Sequence, residues 1–260
     1  MIFAYISCQF KRQSYYYFDT IMTVVGALLA AGIQYFVWTS TQKTGNISLA
    51  ASEMISSYAI LATAYTILMP AAEISKTIAY QVKKGTIIYD FVRPLDYWKN
   101  IFFTQLGKSL YLTLFTIFPL ILIYVFVFKI NFMVAKDFGA VLLTLLVLLL
   151  GYLLSFVMGF LIGILSFVTF RNGGMLSLYT GLVMIFGGGM LPITIYPHWL
   201  AAVAKVTPFY AMQGLPLLTL TMSEISWRQL YPQLAWLLIL ILITTQVYSK
   251  MRAHIEIAGG

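Results

Sequence analysis

The run FGAVLLTLLVLLLGYLLSFVMGFLIGILSFVTF, residues 138–170, carries no charged side chain along its whole length. A helix needs roughly 20 predominantly apolar residues to cross a hydrocarbon core about 30 Å thick. This run is longer than one perpendicular crossing requires, so we expect it to tilt, to bend near Gly151 or Gly159, or to project from the membrane. The run therefore predicts a membrane-spanning helix.

The composition of the whole chain indicates a protein with many such helices. The 260 residues are 61% hydrophobic and 9% charged, with a mean hydropathy of +0.89. Soluble domains average roughly 45–50% apolar and about 25% charged residues. A net charge of +8 would suggest nucleic acid binding in a soluble protein, but here it favours basic cytoplasmic loops. We therefore expect a polytopic membrane protein.

The predicted fold class is an all-α membrane protein with six transmembrane helices. Neither an internal repeat nor a linker interrupts the sequence, so residues 1–260 are taken as a single domain. The six predicted spans are Ile21–Thr41, Met54–Ala72, Leu110–Phe128, Phe138–Phe170, Met175–Leu191 and Trp227–Ser249.

The distribution of Lys and Arg predicts the orientation of these spans. With both termini in the cytoplasm, eleven of the 16 Lys and Arg residues fall in inside segments and five in outside segments. Cytoplasmic loops of membrane proteins carry such an excess of positive charge. The sequence thus predicts a multi-pass protein of the cytoplasmic membrane with both termini inside.

Two further segments are expected to lie beside the spans. In residues 1–20, Ile2, Ile6 and Phe10 have helical spacing and precede an aromatic cluster, which indicates an interfacial helix, although an ordinary cytoplasmic tail remains open. Residues 192–226 are apolar yet contain four prolines. Irregular backbone at membrane depth must be covered by protein, so these residues predict outer re-entrant half-helices.

The stretch KKGTIIYDFVRPLDYWKN, residues 83–100, is densely charged in an otherwise apolar chain. It lies in a predicted cytoplasmic region, residues 73–108, between spans two and three. Gly85 and Pro94 bracket a short amphipathic helix from Thr86 to Arg93. Ile87 or Ile88, Phe91 and Leu95 would lie on one side of it, with Asp90 and Arg93 on the other. The pattern predicts a docking element, while a basic loop lying on the bilayer remains the alternative.

The chain contains few residues suited to catalysis. It lacks a GxxxxGK[ST] phosphate-binding loop, paired histidines and a glycine-flanked serine with a histidine partner. We therefore expect no catalytic residue, no metal ligand and no cofactor in this chain, and any energy from ATP must come through another subunit. The glycines of Gly159-x-x-x-Gly163 allow close helix approach, either within one bundle or between subunits.

The order of two motifs resembles a known family. The pattern K-G-x-I…F-x-R-P-L-x-Y-W from Lys84 to Trp98 precedes GGGMLPITIYPHWL from Gly187 to Leu200. Together with the spans, these motifs resemble the ABC-2 family of permeases, and the resemblance covers essentially the whole chain.

The resemblance implies a function and partners. It implies a permease subunit of an ATP-driven ABC exporter that moves a hydrophobic or amphipathic substrate such as a drug, peptide or lipid. Two copies of an ABC ATPase would bind ATP and Mg²⁺, and a second permease chain, identical or paralogous, would complete the complex. The lipid bilayer is the other expected partner, and no nucleic acid is expected.

The resemblance also assigns roles to residues. In that family a cytoplasmic coupling helix after span two sits in a groove of the ATPase, and the matching residues here are Gly85, Ile88, Asp90, Phe91, Arg93 and Pro94. The second motif would supply an outer gate at Gly188, Pro192, Pro197 and Trp199. Two alternatives remain open: the substrate-binding membrane subunit of an energy-coupling-factor vitamin importer, and an intramembrane enzyme.

Overall fold

The computed structural model describes residues 2–43, 49–91, 95–128, 138–169, 172–189, 191–221 and 226–258. Every regular element in these ranges is a helix, as the apolar composition predicts. The α-helices are α1 Ile2–Tyr15, α2 Tyr17–Lys43, α3 Leu49–Leu68, α4 Ala71–Lys84, α5 Ile87–Phe91, α6 Tyr97–Leu112, α7 Phe118–Phe128, α8 Phe138–Thr169, α9 Gly173–Phe186, α10 His198–Val206, α11 Leu215–Thr221 and α12 Leu230–Ala258.

Five helical segments in the described residues are long and apolar enough to cross a membrane. They are Tyr17–Ser40, Ile55–Lys84, Tyr97–Phe126, Phe138–Phe167 and Trp227–Arg252. The predicted fifth span corresponds to α9, an apolar helix of 14 residues. At 1.5 Å per residue α9 is about 21 Å long, shorter than a hydrocarbon core. A sixth crossing therefore stays a prediction.

The helix α8 lies at the centre of the bundle, with α4 packed along one side and α12 along another. It runs without interruption for 32 residues, so neither Gly151 nor Gly159 breaks it. Its contact with α4 is very close. A Cβ atom added to Gly159 would lie 2.4 Å from Cα of Ala71, and one added to Gly163 would lie 2.7 Å from Cδ1 of Ile78. Both glycines therefore serve packing inside the chain.

Prolines shape the other long segments. Pro70 separates α3 from α4, because a proline has no N–H group with which to continue the helical ladder. A π-helical turn, Thr113–Ile117, comes just before Pro119. In a regular helix residue 119 would donate to the carbonyl of Phe115, and the wider turn accommodates the loss of that donor.

The N-terminal helix α1 packs directly on α6. Gly107 makes this possible, since a Cβ atom there would lie 2.4 Å from the backbone oxygen of Ile6. The rings of Phe10 and Tyr111 meet edge to face, with centroids 5.5 Å apart. The predicted helix in residues 1–20 is confirmed as α1, and its interfacial position stays a prediction.

Candidate functional site

The charged stretch forms a compact hairpin of α4, α5 and α6. Gly85 ends α4 in the left-handed conformation, with φ of 69°, and its N–H donates to the carbonyl of Val82 over 3.1 Å. Glycine adopts this conformation without steric cost, so the predicted helix end is confirmed. The short helix α5 follows from Ile87 to Phe91. Arg93 and Pro94 lie outside the described residues, as does the side chain of Phe91.

One face of α5 is buried against the bundle. Ile87 is 3% exposed and packs in an apolar cluster with Ile74, Tyr97 and Phe160. Asp90 lies three residues further on and therefore shares this face, with 7% exposure. Asp90 therefore lies opposite the exposed Ile88, as one of the two alternatives from the sequence predicts, and its side of α5 is the buried one.

Hydrogen bonds explain how the Asp90 carboxylate is accommodated. Nε2 of Gln81 donates to its Oδ2 over 2.8 Å, and Nδ2 of Asn100 donates to its Oδ1 over 3.4 Å. The hydroxyl of Tyr97 in turn donates to Oε1 of Gln81 over 2.6 Å. Such bonds to the ionised form offset the loss of hydration. This network joins α4, α5 and α6 into one unit.

The opposite face of the hairpin is exposed and forms what we call the tip: Lys83, Lys84, Gly85, Thr86, Ile88 and Tyr89. Ile88 is 54% and Tyr89 73% exposed, so an apolar and an aromatic side chain project beside two lysines. Asp96 begins α6, and its carboxylate pairs with Lys99 over 2.6 Å without capping the helix. Tyr89 was not among the contact residues predicted from the sequence. If Ile87 is assigned to the buried face of α5, helical spacing places both Ile88 and Tyr89 on the exposed face.

The predicted outer-gate residues occupy two different settings. Gly188 is buried with φ of 68°, and its carbonyl accepts a hydrogen bond from Oη of Tyr58 over 2.8 Å. Pro192 is buried nearby and begins a short 3-10 turn. Pro197 and Trp199, at the start of α10, are exposed. The structure thus buries Gly188 and Pro192 but leaves Pro197 and Trp199 on the surface of the chain.

The segment after α10 is irregular and deeply buried. Residues 211–217 are all buried around a π-helical turn, Tyr210–Gly214. Pro216 has no N–H group for the carbonyl of Met212, which accepts from Oη of Tyr65 over 3.2 Å instead. The carbonyl of Ala211 accepts from Nε2 of Gln233 over 2.9 Å. Side chains of the long helices therefore complete the hydrogen bonding of this backbone, as a low-dielectric environment requires.

Comparison with protein families decides the class of protein. A family model described as ABC-2 family transporter protein matches residues 49–259, which include both the hairpin and the buried irregular segment. The chain belongs to the ABC-2 transporter family. No curated protein sequence matches it.

Family membership indicates which other protein the permease works with. An ABC-2 permease is the membrane subunit of an ABC transporter, and it works with an ABC ATPase. The permease described here is a multi-pass membrane protein with a hairpin whose tip is exposed and whose underside is tied to the bundle. Among the predicted contact residues, Gly85 and Ile88 lie at the tip and Asp90 lies beneath it.

The buried network yields a first prediction. Asp90→Ala should lower the stability of the permease by about 1–3 kcal/mol, because the amides of Gln81 and Asn100 would lose a buried acceptor. Asp96→Ala is the matched control, since that carboxylate is exposed and its pair with Lys99 is worth about 1 kcal/mol or less. Thermal unfolding of the two purified variants measures the difference. Equal melting temperatures would show that the Asp90 network does not hold the hairpin.

Proposed function

We propose that this chain is the permease subunit of an ATP-driven exporter, which couples to its ATPase through the tip of the α4–α6 hairpin. The observation that supports the proposal most strongly is the contrast between the two faces of α5. Ile87 and Asp90 anchor the helix, while Ile88 and Tyr89 project from it. An exposed aromatic and aliphatic pair on a rigid mount is the kind of surface that partner proteins bind tightly.

The chemistry of the tip defines the groove that it would fit. Ile88 and Tyr89 require an apolar pocket, and Lys83 and Lys84 beside them favour acidic residues at its rim. Gly85, Phe91, Arg93 and Pro94 complete the proposed contact. Asp90 has a different role in this proposal, because it positions α5 from below.

Helix packing offers a route from the tip into the membrane. The tip ends α4, and α4 contacts α8 closely at Ala71 and Ile78. A push on α5 would therefore move α4 as a rigid element against α8, as shear motions of packed helices do. In the proposed transport cycle the permease changes conformation, while ATP and Mg²⁺ bind to the partner ATPase.

The proposed complex contains two permease chains and two ATPase subunits. Helices α2 and α12 carry many exposed large apolar side chains, including Leu29, Ile33, Phe36, Leu238 and Leu242. In a bilayer such faces contact either lipid or a second permease, identical or paralogous. The spans also contain few charged residues, which suits a hydrophobic or amphipathic substrate such as a drug, peptide or lipid.

The outer gate is proposed at Gly188 and Pro192, with Pro197 and Trp199 exposed at the start of α10. Tyr58 and Tyr65 of α3 hold the backbone at Gly188 and Met212. Since α3 leads through Pro70 into α4, the same chain segment touches both the outer backbone and the hairpin. Movement of the hairpin would in this way reach the outer side.

The assembly is tested by purifying the tagged chain after co-expression with the adjacent reading frames. We expect an ATPase with a GxxxxGK[ST] motif to co-purify, and native mass spectrometry should give two permease and two ATPase subunits. A single permease chain carrying a tightly bound vitamin would contradict the exporter and indicate an importer subunit.

The orientation of the permease yields a second prediction. Cys8 is the only cysteine and is exposed on α1. With the proposed cytoplasmic N-terminus, a membrane-impermeant maleimide should label it only after cells are opened, whereas Asn46→Cys should react in intact cells. Equal labelling of both positions in intact cells would reverse the proposed orientation.

A further inference from the structure

A polar pocket of about 340 Å³ lies between α1, α2, α4 and α6, and none of its described lining residues belongs to the tip or to residues 211–217. Its floor includes Ile74 and Ile101, and its walls carry both signs of charge. Arg12 and Lys108 supply the positive charges, while Asp19 and Glu73 supply the negative ones.

The pocket is held by close helix contacts. Next to Lys108, Gly107 brings the α6 backbone against Ile6 of α1, which fixes the two walls relative to each other. Lys108 of α6 and Glu73 of α4 form a salt bridge, and the side chain of Glu73 is more exposed than that of Lys108. Polar groups with opposite charges are thus placed side by side in a shaped cavity.

The position of the pocket relates it to the lipid headgroups. Tyr16 and Asp19, at the junction of α1 and α2, line it. Tyr15, Tyr16, Tyr17 and Phe18 at this junction are all exposed. Aromatic clusters of this kind lie at the level of the lipid headgroups in membrane proteins. We therefore expect the pocket to open at the level of the lipid headgroups.

We propose that this pocket binds a phosphoethanolamine group carried by a membrane phospholipid. The Arg12 guanidinium and the Lys108 ammonium suit a phosphate, which accepts charge-assisted hydrogen bonds. The Glu73 and Asp19 carboxylates suit a primary ammonium with its three N–H donors.

The charge balance and the lining select among headgroups. Two cationic and two anionic side chains in the described lining favour a zwitterion over a purely anionic headgroup. A choline group has no N–H donors and is recognised by several aromatic rings. Among the described lining residues only Tyr16 offers a ring, so the pocket favours ethanolamine over choline.

Competition between lipids in native mass spectrometry tests the proposal on the purified full chain. Phosphatidylethanolamine, phosphatidylcholine and phosphatidylglycerol with identical acyl chains are offered at equal concentration. We expect phosphatidylethanolamine to be retained about tenfold over each of the others, equivalent to about 1.4 kcal/mol. Equal retention of the three lipids would overturn the proposal.

Variants connect the preference to the pocket. Arg12→Gln should remove most of the preference, whereas the matched variant Lys11→Gln changes a neighbouring cation that does not line the pocket and should preserve it. Glu73→Gln should shift retention from phosphatidylethanolamine towards phosphatidylglycerol, because it removes a carboxylate that would bind the ammonium of the ethanolamine headgroup. Identical behaviour of Arg12→Gln and Lys11→Gln would also overturn the proposal.

A separate unfolding experiment distinguishes a soluble ligand from a membrane lipid. Free phosphoethanolamine is added to the chain, and thermal unfolding is followed with and without short-chain phosphatidylethanolamine. We expect Arg12-dependent stabilisation by the lipid. Arg12-dependent stabilisation by the free ester, with no effect of the lipid, would overturn the assignment to a membrane lipid.

Discussion

Gly159→Leu should prevent the permease from accumulating in its folded form. A Cβ atom at this position would lie 2.4 Å from Cα and 2.5 Å from the carbonyl oxygen of Ala71, so α8 and α4 would have to separate. Even Gly159→Ala should cost about 1–3 kcal/mol, the usual range for overpacking of a closely packed core. Leucine adds three more carbon atoms against the backbone of α4, and its effect should be larger.

Gly32→Ala in α2 is the control matched to Gly159→Ala, because among the described residues no atom beyond its own helix backbone and chain neighbours lies within 4 Å of the added Cβ atom. Alanine also favours the helix by about 1 kcal/mol over glycine. Size-exclusion profiles and melting temperatures of the detergent-purified variants measure the outcome. A wild-type melting temperature for Gly159→Leu would show that α4 and α8 are not in backbone contact.

The second large effect is expected at the tip. Tyr89→Ala combined with Ile88→Ala should weaken binding of the ATPase by tens of fold, while leaving the folded permease intact. Buried aromatic side chains at interface centres contribute about 2 kcal/mol or more, and about 1.4 kcal/mol is tenfold. Both side chains are exposed in the isolated chain, so their removal leaves no cavity in it.

Tyr231→Ala provides the control, since Tyr231 is 70% exposed on α12 and matches Tyr89 in kind and exposure. Co-purification of the ATPase and the rate of ATP hydrolysis are measured for both variants. If the double variant at the tip behaves like Tyr231→Ala, the tip does not bind the ATPase. Phe91→Ala belongs in the same series, because the contribution of Phe91 stays a prediction.

Much of the fold follows from local rules that the sequence displays. The uncharged run of residues 138–170 predicts α8 almost to the residue, and Gly85 predicts the end of α4. These features depend on hydrophobic length and on the conformational freedom of glycine, which need no tertiary information. The break at Pro70 also follows a local rule, although the predicted span Met54–Ala72 runs through it.

The candidate sites depended on tertiary contacts that a single sequence does not display. Asp90 is buried because Gln81 and Asn100 come from two other helices to bind it. Gln233 likewise supports the Ala211 carbonyl from a distant helix. Nothing in the sequence around Asn100 indicates that its side chain belongs to this network. Close helix contact was predicted from Gly159-x-x-x-Gly163, and the structure confirms internal packing among the two alternatives.

Photo-crosslinking from the tip tests the central claim most directly. Tyr89→p-benzoylphenylalanine and Tyr231→p-benzoylphenylalanine are introduced separately into the co-expressed complex, so that each exposed aromatic carries the same photoreactive group. Irradiation should join position 89 to the ATPase, and position 231 should give no such product. An intact complex in which position 89 forms no adduct with the ATPase would contradict coupling through the tip.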